Sequence, residues 1–150
     1  MKDEAKIWLS YALENLKSSE ILLESSLFNP CLQNAQQCVE KSMKALLIEK
    51  GITTKKTHDI FEINRIIKTN KIQISITDDE CDIINPIYLP SKYPLGSVLP
   101  DFIPDHKFCK EIITISKEHI RLGHQVTVIK RTINHPKENY IDENGVKIIH

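Results

Sequence analysis

Ala35-Gln-Gln-Cys-Val-Glu-Lys-Ser-Met-Lys-Ala-Leu-Leu47, followed by Gly51 and then by Lys56-Thr57-His58-Asp59-Ile60, is the stretch that decides the fold. Plotted at the helical angle, Cys31, Leu32, Ala35, Val39, Ser42, Met43 and Leu46 fall on one arc, with Cys38 and Ala45 at its edge. Such an arc is the buried face of an amphipathic helix. Ala35, Cys38, Ser42 and Ala45 are small and recur at three- and four-residue steps, so a neighbouring helix can approach closely and the seam is expected at the centre of the core. Gly51 is a helix stop and takes the C-cap, and Thr57 is a new start whose hydroxyl can cap the next helix.

Working outward, Ala5, Trp8, Leu9, Ala12, Leu16, Ser19, Leu23 and Leu27 describe one long first helix ending near Phe28-Asn29-Pro30. Asn29 suits the N-cap of the second helix, with Pro30 at its first position, and the short connection makes the two antiparallel neighbours. A third helix is expected from Thr57 to about Asn70, with Ile60, Phe61, Ile63, Ile66 and Ile67 as its apolar side. A fourth begins at Asp78-Asp79-Glu80, capped by Thr77, with three carboxylates at the positive end of the macrodipole. It carries Cys81, Ile83, Ile84, Ile87 and Tyr88, and Pro86 is expected to kink or shorten it. Ser91 to Pro104 is a loop by its proline and glycine content, and a last helix spans about Asp105 to Leu122, stopping at Gly123. Beyond it, Val126 to Ile129, Tyr140-Ile141 and Val146 to Ile149 are β-prone, and Asn144-Gly145 is a hairpin turn. The expected fold class is therefore all-α: an up-and-down helical bundle over residues 1–124, with a small C-terminal β-hairpin extension over 125–150.

Length and composition bound the function. The 150 residues suit one domain. Lysine plus arginine equals aspartate plus glutamate at 20 each, so no global electrostatic footprint for nucleic acid exists and any such contact is local. The four cysteines form no CxxC pair and read as reduced core residues of a cytoplasmic protein. No apolar run reaches the roughly 20 residues that cross a bilayer, and no membrane partner is expected. His106, His119 and His124 make no metal site, and no phosphate loop or nucleophile elbow occurs, so no metal or cofactor is expected.

The central stretch is similar to the second-helix signature of the HEPN family, which reads approximately AQQAxEKAxKALL and is followed by a glycine and a THDL motif. Trp8, Ala12, Asn15, Leu16 and Ser19 resemble the family's WxxxAxxDLxxA opening, with Asn15 in place of the usual acidic residue. Tyr88 to Pro94, YLPSKYP, resembles YxxSRYP, with Lys92 where arginine is common. Together the matches run from Ala5 to Gly123 in family order. The resemblance implies a homodimer that binds nucleotide, a minimal nucleotidyltransferase partner, or both, as in a toxin–antitoxin-type pair. HEPN nucleases carry arginine followed after four to six residues by histidine. Here Arg121 precedes His124 by two intervening residues and Arg131 precedes His135 by three, so neither pair fits and no catalytic residue is assigned. An RNase toxin with a displaced active site and a purely structural dimer module stand as rivals.

The ligand-binding candidates are Lys56, His58, Asp59, Lys92 and Tyr93, with Gln36 and Glu40 second. Thr57, His58 and Asp59 have a structural reading, as a helix start packed on helix two, and a functional one. In the latter, free N–H groups flanked by Lys55 and Lys56 hold a phosphate. Lys92 and Tyr93 offer a cation and a stacking ring to a nucleotide, or anchor a proline-stiffened loop. Gln36 and Glu40, one turn apart at the edge of the apolar arc, serve a helix contact, line a groove or stand in solvent. Lys41, Lys44, Lys50, Lys55 and Lys56 make the end of helix two locally basic.

Overall fold

A computed structural model describes residues 1–54, 56–88, 103–134, 140–141 and 147–148, with side chains described as far as Arg121. Helices α1 (Asp3–Glu24), α2 (Phe28–Glu49), α3 (Ile60–Thr69), α4 (Asp78–Ile84) and α5 (His106–Asn134) follow in order, with a 3₁₀ turn at Asn85–Ile87 after α4. Ala5, Leu9, Ala12 and Ser19 are the buried residues of α1, on the side that meets α2. The small seam of α2 is buried as its spacing required: Ala35 and Cys38 are fully enclosed, and Ser42 and Ala45 are buried as well. Contacts run from α2 to both α1 and α5, and α1 and α5 also touch, so α2 is the axis of the bundle.

Polar contacts fix the directions. Lys2 N–H donates to Glu49 at 2.7 Å, which brings the start of α1 to the end of α2 and makes the pair antiparallel. Cys109 meets the Phe28 carbonyl and Ser116 donates to the Ala35 carbonyl, so α5 runs parallel to α2. Lys117 of α5 pairs with Glu20 of α1. The return stroke between α2 and α5 includes the shorter α3 and α4, whose Ile60, Ile63, Ile67, Cys81 and Ile84 complete the core with Met43, Leu47 and Ile112.

Helix ends explain where the chain departs from the expected boundaries. The turn after α1 comes earlier than Phe28: the helix stops at Glu24, and Ser26 takes a left-handed φ of 57°. The Ser26 and Leu27 N–H groups bond back to the Leu23 and Leu22 carbonyls, a Schellman closure. As a result α2 starts at Phe28, and Pro30 lies within the first turn, where its missing donor costs nothing. The same closure ends α2, with Lys50 as the C-cap and Gly51 at φ 74° one position beyond it. It also ends α3, with Lys71 at φ 55°. Leu27, Ile52 and Ile72 follow the three left-handed residues, giving each closure an apolar residue at its end.

Thr77 caps α4 in a full capping box with Glu80, as its sequence indicates. Pro86 shortens the helix into the 3₁₀ turn. Asp105 caps α5 by accepting from the Phe108 N–H. However, α5 does not stop at Gly123; its backbone is helical to Asn134, across the β-prone Val126 to Ile129. Strand preference spans only about 1 kcal/mol and an interior glycine costs about as much, so a helix already formed over its preceding turns propagates through both. Tyr140–Ile141 and Lys147–Ile148 are assigned as an antiparallel two-residue pairing. The Asn144-Gly145 turn lies outside the described residues, and the hairpin extension stays an expectation. The loop expected at Ser91 to Pro104 also lies outside them, except for its last two residues.

Candidate functional site

Gln36, Glu40 and Lys44 recur at four-residue steps on α2 and form one stripe along its edge. Of the readings open to these border residues, solvent exposure is ruled out: Gln36 is 0% exposed and Glu40 2%. The segment joining α2 to α3 covers Glu40, with His58 against its carboxylate. Lys44, read as one of the lysines that make the end of helix two basic, is also buried. Its ammonium donates to Glu40 Oε1 at 2.8 Å and to the Thr57 carbonyl at 2.7 Å, and lies 5.5 Å from the Trp8 ring centre. Gln36 Nε2 approaches the other Glu40 oxygen at 3.4 Å. A buried charge is tolerable only when so paired.

His58 closes the cluster from the covering segment. Its Nδ1 lies 3.1 Å from both Glu40 oxygens, while its side chain remains about half exposed. The ring stacks on Tyr88, with centroids 4.6 Å apart and planes 13° from parallel. Tyr88 follows the 3₁₀ turn, so one carboxylate on α2 organises residues from the α2–α3 connection, and through them the end of the α4 segment.

Asp59 serves the helix. It is the N-cap of α3 in place of the expected Thr57, accepting from the Phe61 and Glu62 N–H groups, while Thr57 Oγ1 accepts from the Asp59 N–H. Asn85 Oδ1 takes the Ile60 N–H at 2.9 Å, and the Ile63 N–H bonds the Asp59 carbonyl. The N–H groups that were candidates for a phosphate therefore already have protein acceptors. Lys56 is exposed beside this start. Lys92 and Tyr93 lie outside the described residues, as do Lys55 and His135; the Arg131 and His124 side chains are likewise not described.

The structure thus brings Gln36, Glu40 and His58 together and adds Lys44, Trp8, Tyr88 and the Thr57 carbonyl, which the sequence reading did not place in a site. Lys44 had a usable signal: glutamate four residues before lysine is the favourable helical pairing. Tyr88 and Trp8 open two of the family-like motifs, but nothing in the sequence set either beside this cluster, because they join from distant elements.

Elsewhere, all four cysteines are buried and free. Burial pushes the Cys38 and Cys109 thiols up to about 12 and the Cys81 thiol to about 11, which suits inert core residues. His119 is buried in α5 and its Nδ1 has no partner among the described residues; loss of solvation pushes it down to about 4, so it is uncharged at neutral pH. Among the described residues no group of metal-ligating side chains occurs, and no helix is long and apolar enough to cross a membrane.

The architecture is that of an α-helical bundle with a buried carboxylate–lysine pair, joined by a half-exposed histidine, at the edge of its central helix. The chain belongs to the HEPN domain family: the family model matches residues 5–125. Two solved structures share the fold. TT1696 from Thermus thermophilus is similar with a TM-score of 0.56 and 17% identity, and ST0689, described as an archaeal HEPN homologue, with 0.54 and 20%. Each comparison covers 83% of this chain and 98% of the other. A Methanocaldococcus jannaschii protein named "Putative toxin MJ1304" is 40% identical over 48 residues, 32% of this chain. The match spans about a third (32%) of that relative's length.

Proposed function

We propose that this HEPN protein is the helical accessory member of a toxin–antitoxin-type pair, acting as a homodimer that binds nucleotide, a minimal nucleotidyltransferase, or both. The observation that carries the reading is the Glu40-centred cluster. It places a buried ion pair and a half-exposed histidine at one edge of a HEPN bundle, although hydrophobic residues of similar size would serve stability as well. A charged cluster with one member open to solvent offers a ligand a polar contact that an apolar edge does not. The toxin name of the partial relative supports the pairing. The test is recovery of the tagged chain at low abundance from its own cells. A small nucleotidyltransferase in stoichiometric amount is the expected companion, and its absence counts against the partner half of the reading. The nucleotide half is tested by a rise in melting temperature with added nucleotides.

The same toxin name favours one second reading, a toxin RNase with a displaced active site. It predicts metal-independent RNA cleavage that is lost in Arg131→Ala with His135→Ala, or in Arg121→Ala with His124→Ala. Cleavage unchanged by both pairs identifies a contaminant.

A further inference from the structure

The hydrogen bonding around Glu40 determines which proton His58 carries. Glu40 is a carboxylate ion-paired with Lys44, and a carboxylate only accepts hydrogen bonds. His58 Nδ1 lies 3.1 Å from both carboxylate oxygens, so Nδ1 holds the hydrogen. In the uncharged ring Nε2 is then an acceptor with a free lone pair. It lies on the opposite flank of the ring from Glu40, and among the described residues it has no hydrogen-bond partner. The stack on Tyr88 and the pull of Glu40 hold this acceptor in one orientation at the edge of the bundle.

The groups that normally hold phosphate are already engaged. The Lys44 ammonium is buried and bonded to Glu40 and the Thr57 carbonyl. The first N–H groups of α3 bond to Asn85 and Asp59, and the Asp59 carboxylate itself stands at that helix start. Lys56, exposed, supplies only a screened surface attraction.

We infer that the His58–Glu40 pair is a nucleoside-reading site: His58 Nε2 accepts a hydrogen bond from a ribose hydroxyl or base amine, and the phosphates of a nucleotide add little. The inference rests on the nucleotide-binding reading above and specifies which part of the nucleotide is held. Hydroxyl and amine donors share the required chemistry, and comparing ribonucleosides with their 2′,3′-dideoxy forms tells them apart.

The test is titration of the full-length protein with the four ribonucleosides, their 5′-monophosphates and inorganic phosphate. It is followed by calorimetry and by long-range nitrogen–proton NMR of the His58 ring. The expected free state has hydrogen on Nδ1, and a bound nucleoside moves the Nε2 resonance. Nucleoside and monophosphate are expected to bind within about fivefold of each other, the most that one screened lysine supplies. His58→Phe keeps a ring to stack on Tyr88 and removes the acceptor; a loss of about tenfold is expected, with an unchanged far-ultraviolet spectrum as the control for folding. Monophosphate or inorganic phosphate binding well above nucleoside, with the His58 resonances unmoved, overturns this inference and leaves nucleotide binding standing. No binding by any nucleoside or nucleotide overturns both.

Discussion

Neutralising one member of the buried Glu40–Lys44 pair is expected to cost far more than removing both. The two side chains are 3% and 6% exposed and lie 2.8 Å apart, so neither charge has water in reserve once its partner is gone. At an effective dielectric near 20 their direct attraction is about 6 kcal/mol, against a desolvation cost of several kcal/mol for each ion. Lys44→Met leaves Glu40 buried with His58 and Gln36 as its remaining partners. Glu40→Gln leaves the Lys44 ammonium with the Thr57 carbonyl and the Trp8 ring. Each single change is expected to destabilise by about 3–5 kcal/mol, while the double change costs much less than the sum, because no uncompensated charge is left. For a chain of this size the single variants lose roughly 10 °C in melting temperature. Urea unfolding at neutral pH, followed by circular dichroism, completes the double-mutant cycle. Singles costing under about 1 kcal/mol, or a double whose cost equals the sum of the singles, refute the argument, since either result means that the charges are not desolvated together.

Three further outcomes are expected. The folded-state pKa of His119 lies below the ordinary 6.5, at about 4, so its contribution is complete above pH 6.5 and lost as pH falls through that window, by about 3 kcal/mol in all; His119→Phe should flatten this part of an unfolding-versus-pH curve, and an unchanged slope contradicts the assignment. Ser26→Gly and Lys71→Gly relieve left-handed backbone and should each stabilise by about 0.5–1 kcal/mol, whereas Gly51→Ala should cost about 1 kcal/mol; chemical denaturation reads all three, and a loss for both glycine variants refutes the reading of these turns. The buried thiols should resist a thiol-modifying reagent in the native state and react at the rate of unfolding; rapid labelling of Cys38 or Cys109 in folded protein is the contrary result.

The helical pattern was legible because each helix hides a stripe whose period is written in its own sequence. Ala35, Val39 and Met43 announce the buried face of α2, and Thr77 with Glu80 announces the start of α4 before any packing is known. Helix ends were less legible. Ser26 and Lys71 take the position that glycine usually fills, and nothing in their side chains signals a left-handed backbone. The run of α5 through Gly123 was hidden because glycine and β-branched residues suggested an end that the helix overrides.

The sequence by itself determined the family, the core stripe, the helix order and the candidacy of Gln36, Glu40 and His58, since these follow from residue types at local spacings. Only the tertiary structure decided that Glu40 and Lys44 are a buried pair, that His58 shares that carboxylate, that Tyr88 stacks on His58 and that Trp8 faces the Lys44 ammonium. The reason is physical: solvation and hydrogen-bond partnership depend on which distant segment covers a helix edge, and the segment covering Glu40 is removed from it in the chain by a turn and a helix end.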